Sequence, residues 1–241
     1  MSYESELFAL AVLLYLYDST VLLCANEAIL SYDRRHGWRV STGWSGFLIA
    51  GRRVCFLNPL AMYRPCARLR WNLYAPGSSD ADPSWSEELP KLQAVAPWTL
   101  AGALALFVLL PLGLFTPLGT YAILPAVCVL YGSILLALLF IRGRSSLTAL
   151  SGLRFAGLTF ECLACPPFGI NLVRRVALMC HVRESLLFAS ARLLPAFEWD
   201  ALRTSCVETL DHELWRLTEP SAERQSLEQQ RARLSAWIQQ K

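Results

Sequence analysis

The sequence predicts an all-α integral membrane protein. It would have three transmembrane helices, one at the amino end and then a hairpin, with a cytoplasmic carboxyl-terminal helical domain and a small β element in the first cytoplasmic loop. Three observations predict it. Of 241 residues, 54% are hydrophobic and only 17% charged, a balance shifted from soluble domains toward membrane chains. No residue between Pro97 and Ile141 is charged. Arginines crowd the segments on one side of the expected spans and are missing from the other side. The same composition excludes a disordered chain and a disulfide-stapled mini-protein, and no fixed period suggests a repeat array.

Residues 1–30 are read as the first span. Leu7 to Tyr17 and Ser19 to Asn26 are uncharged, with Asp18 between them. The tail Met-Ser-Tyr-Glu-Ser-Glu carries acid only, whereas a cleaved signal peptide begins with a basic stretch, so a retained helix is expected. Asp18 then falls near the middle of a span. A carboxyl there costs roughly 2.5–3.5 kcal/mol on insertion scales, so it should face other helices or a wet cavity. With no basic residue inside the spans to pair with it, it is expected to be buried and mostly neutral.

Residues 31–96 form a basic loop with short strands. The helical period disappears after Gly37, and Trp38-Arg39-Val40, Phe47-Leu48-Ile49-Ala50 and Val54-Cys55-Phe56-Leu57 have strand character, with Gly51-Arg52 as the turn. Pro76 to Pro90 has the composition of an exposed linker. Arg34, Arg35, Arg39, Arg52 and Arg53 form a basic cluster with two readings: a lipid-facing patch for anionic headgroups, or a topology signal alone. Nucleic acid is not an expected partner, because the whole chain is only +3 and no recognition helix accompanies the cluster.

Residues 97–142 carry the hairpin. At about 1.5 Å per residue, one helix through the uncharged run would be about twice the hydrocarbon thickness, so it must fold back. Thr116-Pro117-Leu118-Gly119-Thr120 is the turn-like break, which sets spans at Trp98 to Phe115 and Tyr121 to Ile141. Pro111 and Pro125 should mark kinks. The basic residues flanking the hairpin place residues 31–96 and the carboxyl hundred residues in the cytoplasm, and with three spans the amino terminus outside. All but Lys91 and Lys241 of the 22 basic residues are arginine, a bias that suggests a GC-rich bacterial genome and an inner-membrane location.

Residues 143–241 are expected to be a helical domain. Asn171 to Leu194 reads as one helix with a wide apolar stripe. Trp199, Leu202, Cys206, Leu210, Leu214 and Leu217 recur at three- and four-residue steps, and Ala222 to Gln240 carries a sparser stripe of Leu227, Leu234 and Ile238. Two such helices make an antiparallel hairpin, whose sparse stripe is expected to serve a protein partner or self-assembly.

Chemistry is thinly signalled. Cys162-Leu163-Ala164-Cys165 offers two thiols for a metal or a redox step, and Cys180-His181 could complete a zinc set only if their helix were broken. Haem attachment is excluded because Pro166 stands where a histidine is required. The bland reading is reduced, buried cysteines ending a helix. Glu161 is a lone carboxylate, and no nucleophile elbow, metalloprotease, phosphate-loop or dinucleotide pattern is present. No cofactor is expected. The functional expectation is a non-enzymatic inner-membrane subunit or scaffold that holds a partner or self-assembles through cytoplasmic helices. The alternatives are a membrane-tethered thiol or metal protein built on Cys162 and Cys165, and a channel or transporter subunit built on Asp18.

Overall fold

The computed structural model describes residues 3–71, 84–117, 119–144, 151–180, 182–216 and 222–236. The fold is mixed α/β, not the all-α membrane protein with three spans that the sequence predicts. Among the described residues it has two three-stranded antiparallel sheets and two helices long and apolar enough to cross a membrane.

The first helix explains the difference. Helix α1 covers Tyr3–Asp18, 16 residues, or about 24 Å, short of the ~30 Å hydrocarbon layer. It stops because the Ser19 and Thr20 hydroxyls donate back to the carbonyls of Tyr15 and Leu16 at 3.0 and 2.9 Å, offering the backbone an alternative to another turn. Thr20-Val21-Leu22-Leu23 then runs on as strand β1 (Thr20–Leu23). Asp18 therefore ends a helix and does not sit at the middle of a span.

Five further strands follow: β2 (Glu27–Asp33), β3 (Gly37–Ser41), β4 (Trp44–Ile49), β5 (Arg52–Phe56) and β6 (Cys66–Arg70). They form sheets of order β1-β5-β4 and β3-β2-β6. The expected strands at 38–40, 47–50 and 54–57 correspond to β3, β4 and β5. Strands β1, β2 and β6 were hidden in stretches assigned to a span or a loop. The β4–β5 turn is Ala50-Gly51, both at positive φ (50° and 74°), as a two-residue hairpin with the sheet's twist requires. At the β2–β3 turn the Asp33 carboxylate accepts from the Arg35 amide at 3.1 Å and contacts His36 Nδ1 at 2.8 Å.

The remaining helices are α2 (Trp85–Phe115), α3 (Thr120–Gly143), α4 (Gly152–Ala164), α5 (Pro166–Ile170), α6 (Leu172–Met179), α7 (Leu186–Leu193), α8 (Ala196–Arg216) and α9 (Ala222–Ala236). The expected single helix at 171–194 is two, because the segment ahead of Ser185 leaves helical geometry before α7 starts. The end of the expected linker, from Trp85 to Pro90, is helical. Pro76 and its neighbours lie outside the described residues. Within α2 the stretch Ala105–Leu109 widens to a π-helix just before Pro111, which absorbs the clash between a proline ring and the preceding turn.

By internal contacts the chain divides into two interleaved units. The helical unit comprises Met1–Val21, Phe56–Cys66 and Ser86–His181; the strand-bearing unit comprises Leu22–Cys55, Ala67–Trp85 and Val182–Lys241. In the helical unit α2 and α3 pack closely through small residues. A Cβ on Gly102 would lie 2.9 Å from Ser133 Oγ, and one on Gly113 would lie 2.7 Å from Ile123 Cγ1. Small residues at such crossings are how apolar helices associate without a hydrophobic drive. Phe8 meets Phe115 and Tyr15 meets Phe107 edge to face at 6.2 and 5.0 Å, so α1 runs antiparallel to α2.

The strand-bearing unit has an ordinary core. Ala28, Ile29 and Leu30 of β2, Ala67 and Leu69 of β6, Leu186 and Ala189 of α7, and Leu202, Cys206 and Leu210 of α8 are all buried. Leu227 and Leu234 of α9 are also buried. The sparse stripe is thus used internally over its described part; Ile238 lies outside the described residues.

Candidate functional site

The residue proposed as a mid-span carboxyl anchors the best-defined polar cluster of the helical unit. Helix α6 presents Arg174 and Arg175 in succession, and consecutive helical side chains diverge by about 100°, so the two reach different partners. Arg175 Nε donates to Asp18 Oδ1 at 2.9 Å and Nη1 to Glu161 Oε2 at 2.6 Å, while its guanidinium stacks on Phe168 with 4.5 Å to the ring centre. Arg174 donates to Asn171 Oδ1 at 3.4 Å and to the carbonyl of Asn58. Asn171 Nδ2 in turn donates to Ser19 Oγ at 3.1 Å, and the Tyr15 hydroxyl donates to the carbonyl of Pro59. The cluster ties the end of α1, the 58–59 turn, α4 and α6 together.

Its electrostatics suit a tie. Arg174 and Asn171 are buried, and the Asp18 side chain is 9% exposed. Burial pushes the Asp18 carboxyl above its ordinary value, and the Arg175 charge and hydrogen bond oppose that rise. The expectation of an unpaired carboxyl is corrected: Asp18 has a basic partner, brought from 157 residues away. Its other oxygen, Oδ2, is buried without a hydrogen-bond partner.

Cys162 and Cys165 lie beside this cluster at the α4–α5 junction. Burial pushes the Cys162 thiol up to about 11 and also raises Cys165, so both are protonated at neutral pH and poor nucleophiles. Among the described residues no group of three or more His, Cys, Asp or Glu side chains could hold a metal ion. His181 lies outside the described residues. The crevice between α2, α3 and α5, lined by Thr99, Gly102, Ser133 and Ile170 among others, has no room for a water molecule.

The strand-bearing unit holds a second charged cluster, which the sequence did not reveal. Glu27, at the start of the central strand β2, is buried; Arg68 and Arg70 project from the same face of β6, two residues apart. Arg70 donates Nε and Nη2 to Glu27 Oε1 at 3.1 and 2.6 Å, and Arg68 donates twice to Oε2, where the Cys24 amide joins at 2.9 Å. Burial alone would raise the Glu27 carboxyl, but these bonds outweigh it and hold the group at about 2.

The basic patch named from the sequence is dispersed in its roles. Arg39 Nε lies 3.7 Å from Glu198 Oε1, and Arg53 donates to Thr209 Oγ1 at 3.2 Å. Arg34, Arg35 and Arg52 are exposed at the two hairpin turns. Arg174, Arg175, Arg68 and Arg70 are the cluster arginines that the sequence did not single out. The available signals were an Arg-Arg pair set in the apolar run Leu172 to Met179 and the two-residue spacing in Arg68-Leu69-Arg70.

Comparison with known proteins returned no matching family model, no matching curated protein and no matching solved structure. The fold and its clusters define a class only: a mixed α/β chain with an uncharged helical hairpin and a separate strand-bearing unit.

Proposed function

We propose that this chain is a non-enzymatic membrane-anchored scaffold. Its α2–α3 hairpin crosses the bilayer, the arginine-flanked ends stay on the cytoplasmic side, and the strand-bearing unit serves as the aqueous module that holds a protein partner or a second copy. One observation supports this above the others. Leu100, Leu104, Val108, Leu112 and Phe115 of α2, and Leu124, Val129, Leu135, Leu136 and Leu139 of α3, are all exposed, and no charge interrupts them from Pro97 to Ile141. An apolar patch of that extent is unstable against water and suits lipid. The protonated thiols beside Asp18 and the Arg175 pairing support a structural role for that cluster over thiol chemistry or proton carriage.

The test is membrane fractionation with reporter fusions. The chain should stay in the membrane pellet through alkaline carbonate, a phosphatase fused at the 116–120 turn should be active outside, and one fused after Gly143 should be inactive. Release by carbonate, or an active fusion after Gly143, contradicts the reading.

A further inference from the structure

The β4–β5 hairpin ends in a tip that is apolar on both faces. Directly opposed residues of an antiparallel pair share a face, and neighbours along a strand alternate. Ile49 pairs with Arg52 and Trp44 with Val54, so these four lie on one face; Leu48 pairs with Arg53 and shares the other face with Cys55. That second face turns toward the protein at its base, where Cys55 is buried and Arg53 donates to Thr209 of α8. Toward the turn it is open. Leu48 is 59% exposed, and on the opposite face Ile49 is 45% and Trp44 70% exposed. Ala50 and Gly51 at the turn are exposed as well.

The charge at this tip has one sign. The register sets an arginine directly across from each aliphatic residue, at roughly 5 Å between Cβ atoms. Neither arginine has a carboxylate partner among the described residues: Arg52 is exposed, and Arg53 donates to a hydroxyl. From Arg34 to Ser79 the sequence holds eight arginines and no aspartate or glutamate.

These two features select the occupant. A protein surface laid against one face of a ribbon leaves the other face wet, so a tip that is apolar on both faces is covered only by something that surrounds it. Two-fold self-association through the tip would also bring Arg52 and Arg53 toward the same cations of the other copy, and opposed like charges are destabilising. A phospholipid interface surrounds what enters it. It offers acyl chains to Leu48 and Ile49, a boundary suited to the indole of Trp44, and phosphates to a guanidinium.

We infer that the β4–β5 tip enters the bilayer interface, with Leu48 and Ile49 among the upper acyl chains, Arg52 at the phosphates of anionic phospholipids and Arg53 adding to the same positive field. This is a lipid contact of the strand-bearing unit itself, separate from the α2–α3 hairpin.

The test places benzoylphenylalanine at Ile49, and in a second variant at Leu48, in the full chain reconstituted into vesicles of equimolar phosphatidylglycerol and phosphatidylcholine. The adducts formed on irradiation are identified by mass. Both sites should carry phospholipid, whereas the same group in place of Gln229, exposed on α9, should carry none. At position 49 phosphatidylglycerol adducts should outnumber phosphatidylcholine adducts, and Arg52→Gln should lower that ratio roughly fivefold. Should one labelled variant fail to fold, the other decides. A chain-to-chain adduct in place of lipid, no adduct at either site, or a ratio unchanged by Arg52→Gln overturns the inference. The same group at Leu104 reports separately on the anchor. Lipid at 104 but not at 48 or 49 contradicts this inference alone, and lipid at none of the three contradicts both.

Discussion

The α2–α3 hairpin of the helical unit turns many of its leucines outward, and the strand-bearing unit turns many of its own inward. On α3, Leu124, Leu135 and Leu139 are exposed with no charge among them until Arg142, while Leu30, Leu69, Leu186, Leu202, Leu210 and Leu227 in the other unit are buried. Two of the exposed apolar residues of the strand-bearing unit stand beside charge: Leu48 and Ile49 pair across the β4–β5 hairpin with Arg53 and Arg52. Burial of apolar side chains is a response to water. A hairpin that exposes so many apolar side chains is what the proposed lipid environment would favour, and the buried core of the other unit is what water favours.

Each unit also stores a buried ion cluster, and breaking these sharpens the comparison. The largest effect is expected at Arg175. Arg175→Met leaves the Asp18 carboxylate buried with neither of its oxygens paired, which should cost about 4 kcal/mol. Asp18→Asn should cost less, and the double variant should recover part of the loss. The sign follows from burial: Asp18 has a folded value above the ordinary 3.8, so its contribution to stability is complete below that value and falls as pH rises through the folded one. Removing Arg175 raises the folded value further. Thermal unfolding of the detergent-solubilised variants at pH 5 and pH 8 measures this, with Arg175→Met losing more at the higher pH. Equal stability of Arg175→Met and wild type contradicts the tie.

Next in size is the outward face of the hairpin. Leu104, 54% exposed near the middle of α2, should tolerate arginine within about 0.5 kcal/mol if water surrounds it. In lipid the same change costs about 3 kcal/mol. The account predicts that Leu104→Arg lowers the membrane-integrated fraction severely, whereas arginine in place of Gln229, exposed on α9, leaves accumulation unchanged.

A smaller effect is expected at Glu27 in the strand-bearing unit, because Arg68 and Arg70 are 37% and 66% exposed and keep solvation when their partner is lost. Glu27→Gln should cost about 2 kcal/mol at neutral pH. Its folded value of about 2 lies below the ordinary 4.5, so this contribution is complete above pH 4.5 and disappears as pH falls through 2. The gap between wild-type and Glu27→Gln melting points should therefore close over that window.

What the sequence disclosed divides along the same line. The hairpin was legible because no charge interrupts the run between Pro97 and Ile141 and the turn at 116–120 is announced by Pro117 and Gly119. Strands β3 to β5 were legible from local alternation and the Gly51 turn. Strands β1, β2 and β6 were not: Thr20 to Leu23 continues an apolar helical run, and Cys66 to Arg70 is recognised as a strand only by its place beside β2. The sites were less legible still. Asp18 was singled out, but its partner Arg175 is 157 residues away, and Glu27 meets Arg68 across 41 residues. A lone sequence carries no sign of which distant charges will face each other; Arg175 was missed because a partner for Asp18 was looked for only within the spans.

Cys128 tests the assignment of solvent most directly. It is an exposed, free thiol in the uncharged stretch of α3, while Cys162 and Cys206 are buried by the protein itself. The full chain is reconstituted into vesicles, treated with a membrane-impermeant maleimide at neutral pH, and the modified cysteines are quantified by peptide mass. If the hairpin lies in lipid, Cys128 remains unmodified despite its exposure, because neither the charged reagent nor the reactive thiolate enters hydrocarbon. Modification of Cys128 at the rate of an open thiol in water would contradict the account.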